Sequence, residues 1–505
     1  MSYLPATQSE GYQRKLEFVF FGTEPAAKRN ASSPRKTPQK TRKSSDLVRQ
    51  RQSQEQSSKY SSSITILPFI NEASDHSLAA PQNRSGYMAL LRERYVPELP
   101  KFTCERGELN GASWIATACS LALKSQHSEM LSDSLLAMSL SLVGLDRHEG
   151  ELSTASLKQY SRALNGLRSG LAPRPSGLSQ HQVNAALVTS LACGMYEMMT
   201  NKSLSALMHH LNGVSAILKT RGVENLQSDS SRRTFYEYRS IHLPIALSTR
   251  KANFLSLPKW INPPWKTLEP LSASKLGTVI DIGFEIPVLM EKFDNLQQQE
   301  QIASVPDMAS QMNSLILDGL AIQQAFNDWE RRIRGRDDMP SLYIPRQAKW
   351  SALNLDVESN IYPISFDFAN WDNASGLSYY EMLQIFLNTL LIDIKTFARR
   401  SNIAPHALAA MNSQILAQNS IDCADRICQS VEWFLEDNKK LIGRMVILAP
   451  FESARALFAR LSLEATGEAS QDAFVGERAA HMGGIEIVEG VELTAAEGEQ
   501  SIGIP

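Results

Sequence analysis

Apolar residues along most of this chain recur at three- and four-residue steps, which is the spacing of one helix face. From Thr154 onward, Leu157, Tyr160, Leu164, Leu167 and Leu171 form one such stripe, and Pro173 prevents its continuation. The next segment places Val183, Leu187, Leu191 and Met195 at four-residue intervals behind Ser179, a candidate N-cap. A third helix is predicted from near Ser203, with Leu207, Leu211, Val214 and Leu218 on one face. It stops at Gly222, a residue that can take the left-handed conformation of a C-cap. Later, Ser378 and Glu381 have capping-box spacing ahead of Leu383, Phe386, Leu387, Leu390, Leu391 and Ile394. Asn419 to Leu441 and Glu452 to Leu463 also read as helical.

Alternating apolar and polar residues are scarce, and Ser63 to Ile70 and Ile485 to Val491 are the only short strand candidates. Two helix-poor connections, Leu257 to Pro270 and Met339 to Phe368, mix prolines with aromatic rings. They are expected to be ordered loops pinned by buried rings, Trp260 and Trp265 among them. No internal repeat of fixed period is visible. Successive amphipathic helices joined by short connections predict an all-α fold, a multi-helix antiparallel array over residues 84–463.

Composition changes this picture only at the ends. From Thr23 to Ser63 the chain is rich in Ser, Gln, Lys, Arg and Pro, with few apolar residues to offset the entropy of ordering. Residues 1–83 are therefore expected to be mostly disordered and basic, and residues 464–505 an acidic flexible tail. The net charge of -2 averages over that asymmetry. No apolar run approaches the roughly 20 residues of a membrane helix, and the first ten residues lack the basic start and apolar core of a secretion signal. Residence in the cytoplasm or nucleus, with no membrane partner, is the expectation. The five cysteines, Cys104, Cys119, Cys193, Cys423 and Cys428, are scattered and mostly lie in apolar segments, which suits buried thiols in a reducing compartment. No pair has the two-residue spacing of a structural zinc site, and Cys423 and Cys428 are poorly placed to share one helix face.

Signatures of catalysis are missing from the sequence: there is no Gly-rich phosphate loop, no His-Glu-x-x-His pair, no GxSxG elbow and no GxGxxG after a strand. The reading is that the chain is not an enzyme and carries no cofactor, catalytic or metal site of its own. His209 and His210 are neighbours that point about 100° apart on a helix, so they are read as structural residues. Asp337 and Asp338 lack a further acidic residue at the spacing of an aspartate-rich metal motif and are flanked by Gly335 and Pro340, which reads as a solvated turn. Gly213, Val214 and Ser215 begin like a nucleophile elbow, but Ile217 and the surrounding period make them helix interior.

The basic segment carries more. Lys28 and Arg29 are separated by ten residues from Lys40, Arg42 and Lys43, a bipartite arrangement in a Pro-broken chain. It suits capture by the acidic grooves of a nuclear import receptor. A generic solvated charge run or a non-specific phosphate-binding arm has the same composition.

Several segments, taken in order, suggest a family. Asp133 to Leu145; Tyr160, Ala163, Leu164 and Leu167; then His210, Gly213, Leu218, Arg221 and Gly222 resemble the helical regulatory region of fungal-specific transcription factors with a binuclear zinc cluster. Arg232, Arg233, Tyr236 and Arg239 resemble that family's Arg-rich helix. Phe254, Leu255, Pro258, Trp260 and Trp265 resemble the turn that follows it, and Gly443, Arg444 and Pro450 its C-terminal segment. The likeness spans most of Arg84 to Leu463. Glu10 to Phe18 is similar to the stretch that follows the family's zinc cluster, with Ser9 standing where the last cluster cysteine would be.

The resemblance implies a nuclear transcriptional regulator of a fungal metabolic or secondary-metabolite gene set. It would act through a helical domain that senses a ligand or binds partners, namely the transcription machinery or another zinc-cluster regulator. Zinc, and with it DNA binding, is implied only if a cluster is encoded upstream. The regulator has either lost its cluster or is recorded without its first coding exon. Two alternatives stay open. One is an all-α enzyme of small-molecule metabolism with an apolar pocket, for which polar clusters around Asp281, Glu285 or Asp393 would speak. The other is a partner-binding inhibitor of an intact regulator.

Overall fold

Helix periodicity governs nearly all of the chain that the computed structural model describes, residues 81–96, 113–124, 129–147, 150–172, 179–200, 204–268, 274–300, 304–334, 342–349 and 362–467. Helix accounts for 85% of these residues, which makes the fold all-α. The helices are α1 (Pro81–Tyr95), α2 (Ser113–Lys124), α3 (Glu129–Arg147), α4 (Gly150–Gly170), α5 (Gln180–Thr200), α6 (Leu204–Arg221), α7 (Asp229–Thr249), α8 (Pro258–Ile261), α9 (Lys275–Gly283), α10 (Glu285–Gln298) and α11 (Val305–Arg334). Strands β1 (Tyr343–Gln347) and β2 (Ile364–Phe368) follow, then α12 (Trp371–Arg400), α13 (Ser413–Leu435) and α14 (Lys440–Gly467). The described residues from Tyr87 onward belong to one unit. The strand candidates Ser63 to Ile70 and Ile485 to Val491, Cys104, Asp337 with Asp338, and the ends expected to be disordered, apart from residues 81–83 and 464–467, which are helical, lie outside the described residues.

The three helices read first from the sequence are present, with corrections of phase. In α4 the buried face is Leu152, Ser156, Gln159, Tyr160, Ala163 and Leu167. Leu157 and Leu171, placed on the predicted stripe, are exposed, because α3 covers α4 about a fifth of a turn away from the leucine line. Ser156 explains the shift: its hydroxyl donates to the Ala137 carbonyl of α3 at 2.8 Å, so a polar residue holds the contact face. Ser179 caps α5 as expected, accepting from the Gln182 amide at 3.3 Å while the Gln182 side chain accepts from the Ser179 amide at 3.0 Å. Leu207, Leu211, Val214 and Leu218 are all buried, and α6 does end before Gly222. Gly222 has φ 79° and ψ 151°, however, which is a region reserved for glycine but not the left-handed helical well. It starts the 3-10 turn Val223–Asn225 instead of finishing a C-cap.

Helix α12 is the axis of the second half. Its residues from Asn373 to Leu391 are buried on every side, packed by α9, α11, α13 and α14. Its start differs from the sequence reading. Asn370 is the N-cap, accepting from the Asn373 amide at 2.8 Å, so Ser378 and Glu381 are interior core residues and not a capping box. Capping-box spacing was fortuitous here, because any Ser and Glu three apart on a buried helix carry the same signature. Asp372 in the first turn reaches across to the amides of Lys275 and Leu276, at 3.0 and 3.3 Å, and so caps α9 as well. Close approach is made possible by glycine, since a Cβ on Gly283 would sit 2.8 Å from Leu383 and one on Gly319 2.7 Å from Leu391.

Pro244 lies inside α7 and cannot donate to the Ser240 carbonyl four residues back. The Tyr379 hydroxyl of α12 donates to that carbonyl at 3.2 Å, so the break in one helix becomes a tie between two.

The connection from Met339 to Phe368, expected to be a loop, contains the antiparallel pair β1–β2, with Tyr343 opposite Phe368 and Gln347 opposite Ile364. Pro345, opposite Phe366, falls at a non-hydrogen-bonded position, where its missing amide proton faces the outer edge of β1. Phe366 and Phe368 are buried as expected and, with the half-buried Tyr343, run on into Trp371, Trp433 and Phe434. The helix read over Asn419 to Leu441 is broken at Glu436. There the 3-10 turn Asp437–Lys439 leads to Lys440 at φ 57° and starts α14. Helix α14 then runs through Pro450 to Gly467, past the boundary expected at residue 463.

Candidate functional site

Arg232, Phe235, Tyr236 and Arg239 fall at steps of three, one and three along α7, so they share one face. That face meets the Trp-bearing turn. Phe235 lies 5.8 Å from Trp260 and 5.7 Å from Trp265, ring centre to ring centre, and the Arg232 guanidinium sits 5.4 Å over Trp265. Trp265 donates its indole proton to the Val223 carbonyl at 3.0 Å, which ties the turn to the end of α6. Arg239 is 1% exposed and is flanked by the rings of Phe235, Tyr236 and Phe284 at 5.4–5.8 Å. Its charge is met by Asp281 of α9, which also accepts from Lys266 at 2.8 Å. A guanidinium suits this place because its faces accept rings while its edge pairs with a carboxylate.

A second polar cluster joins α4, α5 and α6. The Tyr160 hydroxyl donates to Glu197 Oε1 at 2.5 Å, and its oxygen is 3.0 Å from His210 Nε2. A hydroxyl has one proton, so the bond to Glu197 makes the oxygen an acceptor and places a proton on His210 Nε2. Tyr196 stacks on Tyr160 at 4.4 Å, and its hydroxyl lies 3.3 Å from Ser156 Oγ, which, with its own proton on the Ala137 carbonyl, accepts there. Burial lowers the pKa of His210, opposed by the charge of Glu197, and burial with help from Glu197 raises that of Tyr160. Cys193, close by on α5, is pushed up to about 12 by burial and the Glu197 charge, so it is an inert thiol. His209 is exposed, and the two histidines do not converge.

The third cluster runs along α12. Arg426 of α13 donates to both oxygens of Glu381, at 2.7 and 2.8 Å, and Glu381 is 1% exposed. Burial outweighs the pull of Arg426 and raises the Glu381 pKa. Tyr380 donates to Glu330 at 2.9 Å and accepts from Gln384 at 3.1 Å, while Gln323 of α11 donates to the Gln384 carbonyl oxygen at 2.8 Å.

These clusters bear on the residues named from the sequence. Asp281 does sit in a polar cluster, but each of its oxygens is held by a cation. Glu285 is titrated upward by burial and by Asp318, and Asp393 pairs with Arg460 at 3.1 Å. Gly213, Val214 and Ser215 are helix interior in α6. Cys423 and Cys428 are buried and face different surroundings, Cys423 beside Arg426 and Cys428 beside Tyr362. Lys28, Arg29, Lys40, Arg42 and Lys43 lie outside the described residues, as does Glu10 to Phe18. The Tyr160 and Glu381 clusters were missed in the sequence. The signal that could have found them is a polar residue at an interior position of a strongly apolar period, Glu197 and Glu381 in particular.

Among the described residues no helix is long and apolar enough to cross a membrane, and no group of three or more His, Cys, Asp or Glu could hold a metal ion. The fold and its clusters define an all-α protein with buried, paired charges between helices. Comparison with protein-family models, curated proteins and solved structures found no match.

Proposed function

We propose that this chain is a nuclear transcriptional regulator of a fungal metabolic or secondary-metabolite gene set. Its helical domain of residues 84–463 binds an effector or a partner protein, either the transcription machinery or another zinc-cluster regulator. The observation that supports this reading is that two of the segments that carry the family resemblance, the Arg-rich helix and the turn after it, pack together. Arg232, Tyr236 and Arg239 of α7, Phe254 of the 3-10 turn Phe254–Ser256, Trp260 of α8 and Trp265 beyond it pack into one cluster closed on Asp281 and Val223. A segment order shared by chance would not require its signature residues to meet. The bipartite residues Lys28, Arg29, Lys40, Arg42 and Lys43 supply the import signal, and DNA contact requires a zinc cluster encoded upstream.

The enzyme alternative draws on the polar cluster at Asp281. With both carboxylate oxygens engaged by Arg239 and Lys266, that group is better suited to holding α7 against α9 than to moving a proton.

The test is a fluorescent fusion of the full chain in a fungal cell, paired with transcript profiling of a deletion strain. Nuclear fluorescence that becomes diffuse when the five basic residues are changed to Ala, with altered transcripts on deletion, is the expected result. A chain that stays outside the nucleus and leaves the transcripts unchanged on deletion refutes the reading.

A further inference from the structure

Residues 25–45 carry seven cations and no acid, because Arg35 and Lys36 stand in the spacer between Lys28 with Arg29 and Lys40, Arg42 and Lys43. The folded unit treats its cations differently. There Arg239 pairs with Asp281 of α9, Arg250 with Asp294 of α10 and Arg426 with Glu381 of α12, each a carboxylate from another helix. An anion that meets the basic segment must instead be carried by a partner or added to the chain. The spacer holds the means of adding one. Ser33, Pro34, Arg35 and Lys36 are followed directly by Thr37, Pro38, Gln39 and Lys40, two successive copies of one pattern: a hydroxyl, then proline, then lysine at the third place after the hydroxyl. Of the 23 prolines in the chain, only Pro34 and Pro38 follow Ser or Thr. A proline at the next position has no amide proton and disfavours the helical region for the residue before it. That suits a kinase cleft that takes its substrate extended, makes no demand on that amide and reads the lysine by charge.

Resting on the regulator reading above, we infer that Ser33 and Thr37 are phosphorylation sites for a proline-directed kinase, and that their phosphates switch off capture of the basic segment by the import receptor. In the transfer, the hydroxyl oxygen attacks the γ-phosphorus of a nucleoside triphosphate held by the kinase. The new O–P bond forms as the bond to the leaving diphosphate breaks, and the hydroxyl proton passes to the kinase's carboxylate base. Each phosphate adds about −1.5 to −2 at neutral pH, so the pair lowers the segment from +7 to about +3 to +4. Position counts for more than the sum. Ser33 stands four residues after Arg29 and Thr37 three residues before Lys40, at most about 14 and 11 Å along an extended chain. Those reaches are comparable to the Debye length of about 8 Å at physiological salt. Each phosphate therefore bears on its own half of the bipartite signal and repels the acidic groove that would bind it.

The test has two readouts on the full chain. Peptide mass spectrometry of the chain recovered from growing fungal cells locates the phosphates. Titration of the purified chain against a purified import receptor at about 0.15 M salt, before and after treatment with a proline-directed kinase and Mg-ATP, measures capture. Phosphate on both Ser33 and Thr37 in cells is the expected result, with the treated chain binding the receptor at least about tenfold more weakly. The Ser33→Ala, Thr37→Ala double variant should keep its full affinity after the same treatment, because all seven cations are intact. The switch is refuted if neither residue carries phosphate in cells, or if the phosphorylated chain binds within about twofold of the unmodified one. It is also refuted if the double variant loses affinity on treatment as wild type does. A receptor that holds the chain equally well before and after phosphorylation rejects the switch and leaves the regulator reading standing. A receptor that ignores the unmodified chain rejects the import signal itself, and the switch with it.

Discussion

The face of α7 around Arg239 and the face of α12 around Glu381 are mirror images in charge. In the first a cation is the deeply buried partner, 1% exposed, and it is surrounded by rings and closed by Asp281 with Lys266 alongside. In the second an anion is the buried partner, also 1% exposed, and its arginine reaches toward solvent at 30% exposure. Both pairs join elements more than 40 residues apart in the chain, at separations of 42 and 45. What the contrast teaches is that the cost of losing a partner is set by which charge stays behind. A guanidinium cannot shed its charge, whereas a carboxyl can take a proton and become neutral.

The largest expected effect follows from that asymmetry. Asp281→Ala leaves Arg239 buried without a carboxylate and should cost about 3–5 kcal/mol by urea denaturation. Glu381→Ala should cost less, because Arg426 is free to turn to water. Equal losses would break the comparison. Arg426→Ala sharpens it from the other side. The Glu381 pKa already lies above the ordinary carboxylate value of 4.5, so its folded state holds the proton longer than the unfolded chain does. Stability from that group is full below the unfolded value and falls as pH rises through the folded one. Without Arg426 the folded pKa climbs further, and the variant should be markedly more stable at pH 5 than at pH 8 relative to wild type.

A titration near the first region comes next. His242 Nδ1 accepts from Asn253 at 2.8 Å, and its pKa is lowered from 6.5 to about 4 by burial, with Lys219 adding to the shift. The folded pKa is the lower one, so the contribution of His242 is present above 6.5 and is lost as pH falls from 6.5 toward 4. That loss is of the order of 3 kcal/mol, and His242→Gln should flatten the pH dependence of the urea midpoint in this window. Gly443→Ala follows, because a Cβ there would run into the Phe434 carbonyl where α13 turns into α14. A cost of about 1–3 kcal/mol is expected from calorimetry. The smallest effect is Ser179→Ala, which removes one half of the α5 capping box for about 1 kcal/mol.

Much of the framework could be read without coordinates. The apolar phase of α6, the Ser179 cap, the burial of Trp260 and Trp265 and the helix-interior character of Gly213 to Ser215 follow from local spacing, since a helix presents the same face every three to four residues wherever it is. The ends of α12 did not follow, because Asn370 and Ser378 are both plausible caps and only burial decides between them. Nor did the β1–β2 pair, whose strands are separated by 16 residues and hold each other through Tyr343 and Phe366. The polar clusters were the least legible part: nothing near Tyr160 in the chain announces Glu197 or His210, which stand 37 and 50 residues away.

Local sequence thus determined that this protein is built of helices, where several begin, and which aromatic turn would be buried, because backbone period, caps and ring burial are decided within a few residues. The tertiary structure alone decided which buried charges found partners, that Tyr379 would take up the carbonyl freed by Pro244, and that Asn388 would be left with none. Hydrogen bonds and ion pairs act over about 3 Å, and the groups that make them are brought within that range only by the packing of helices distant in the chain.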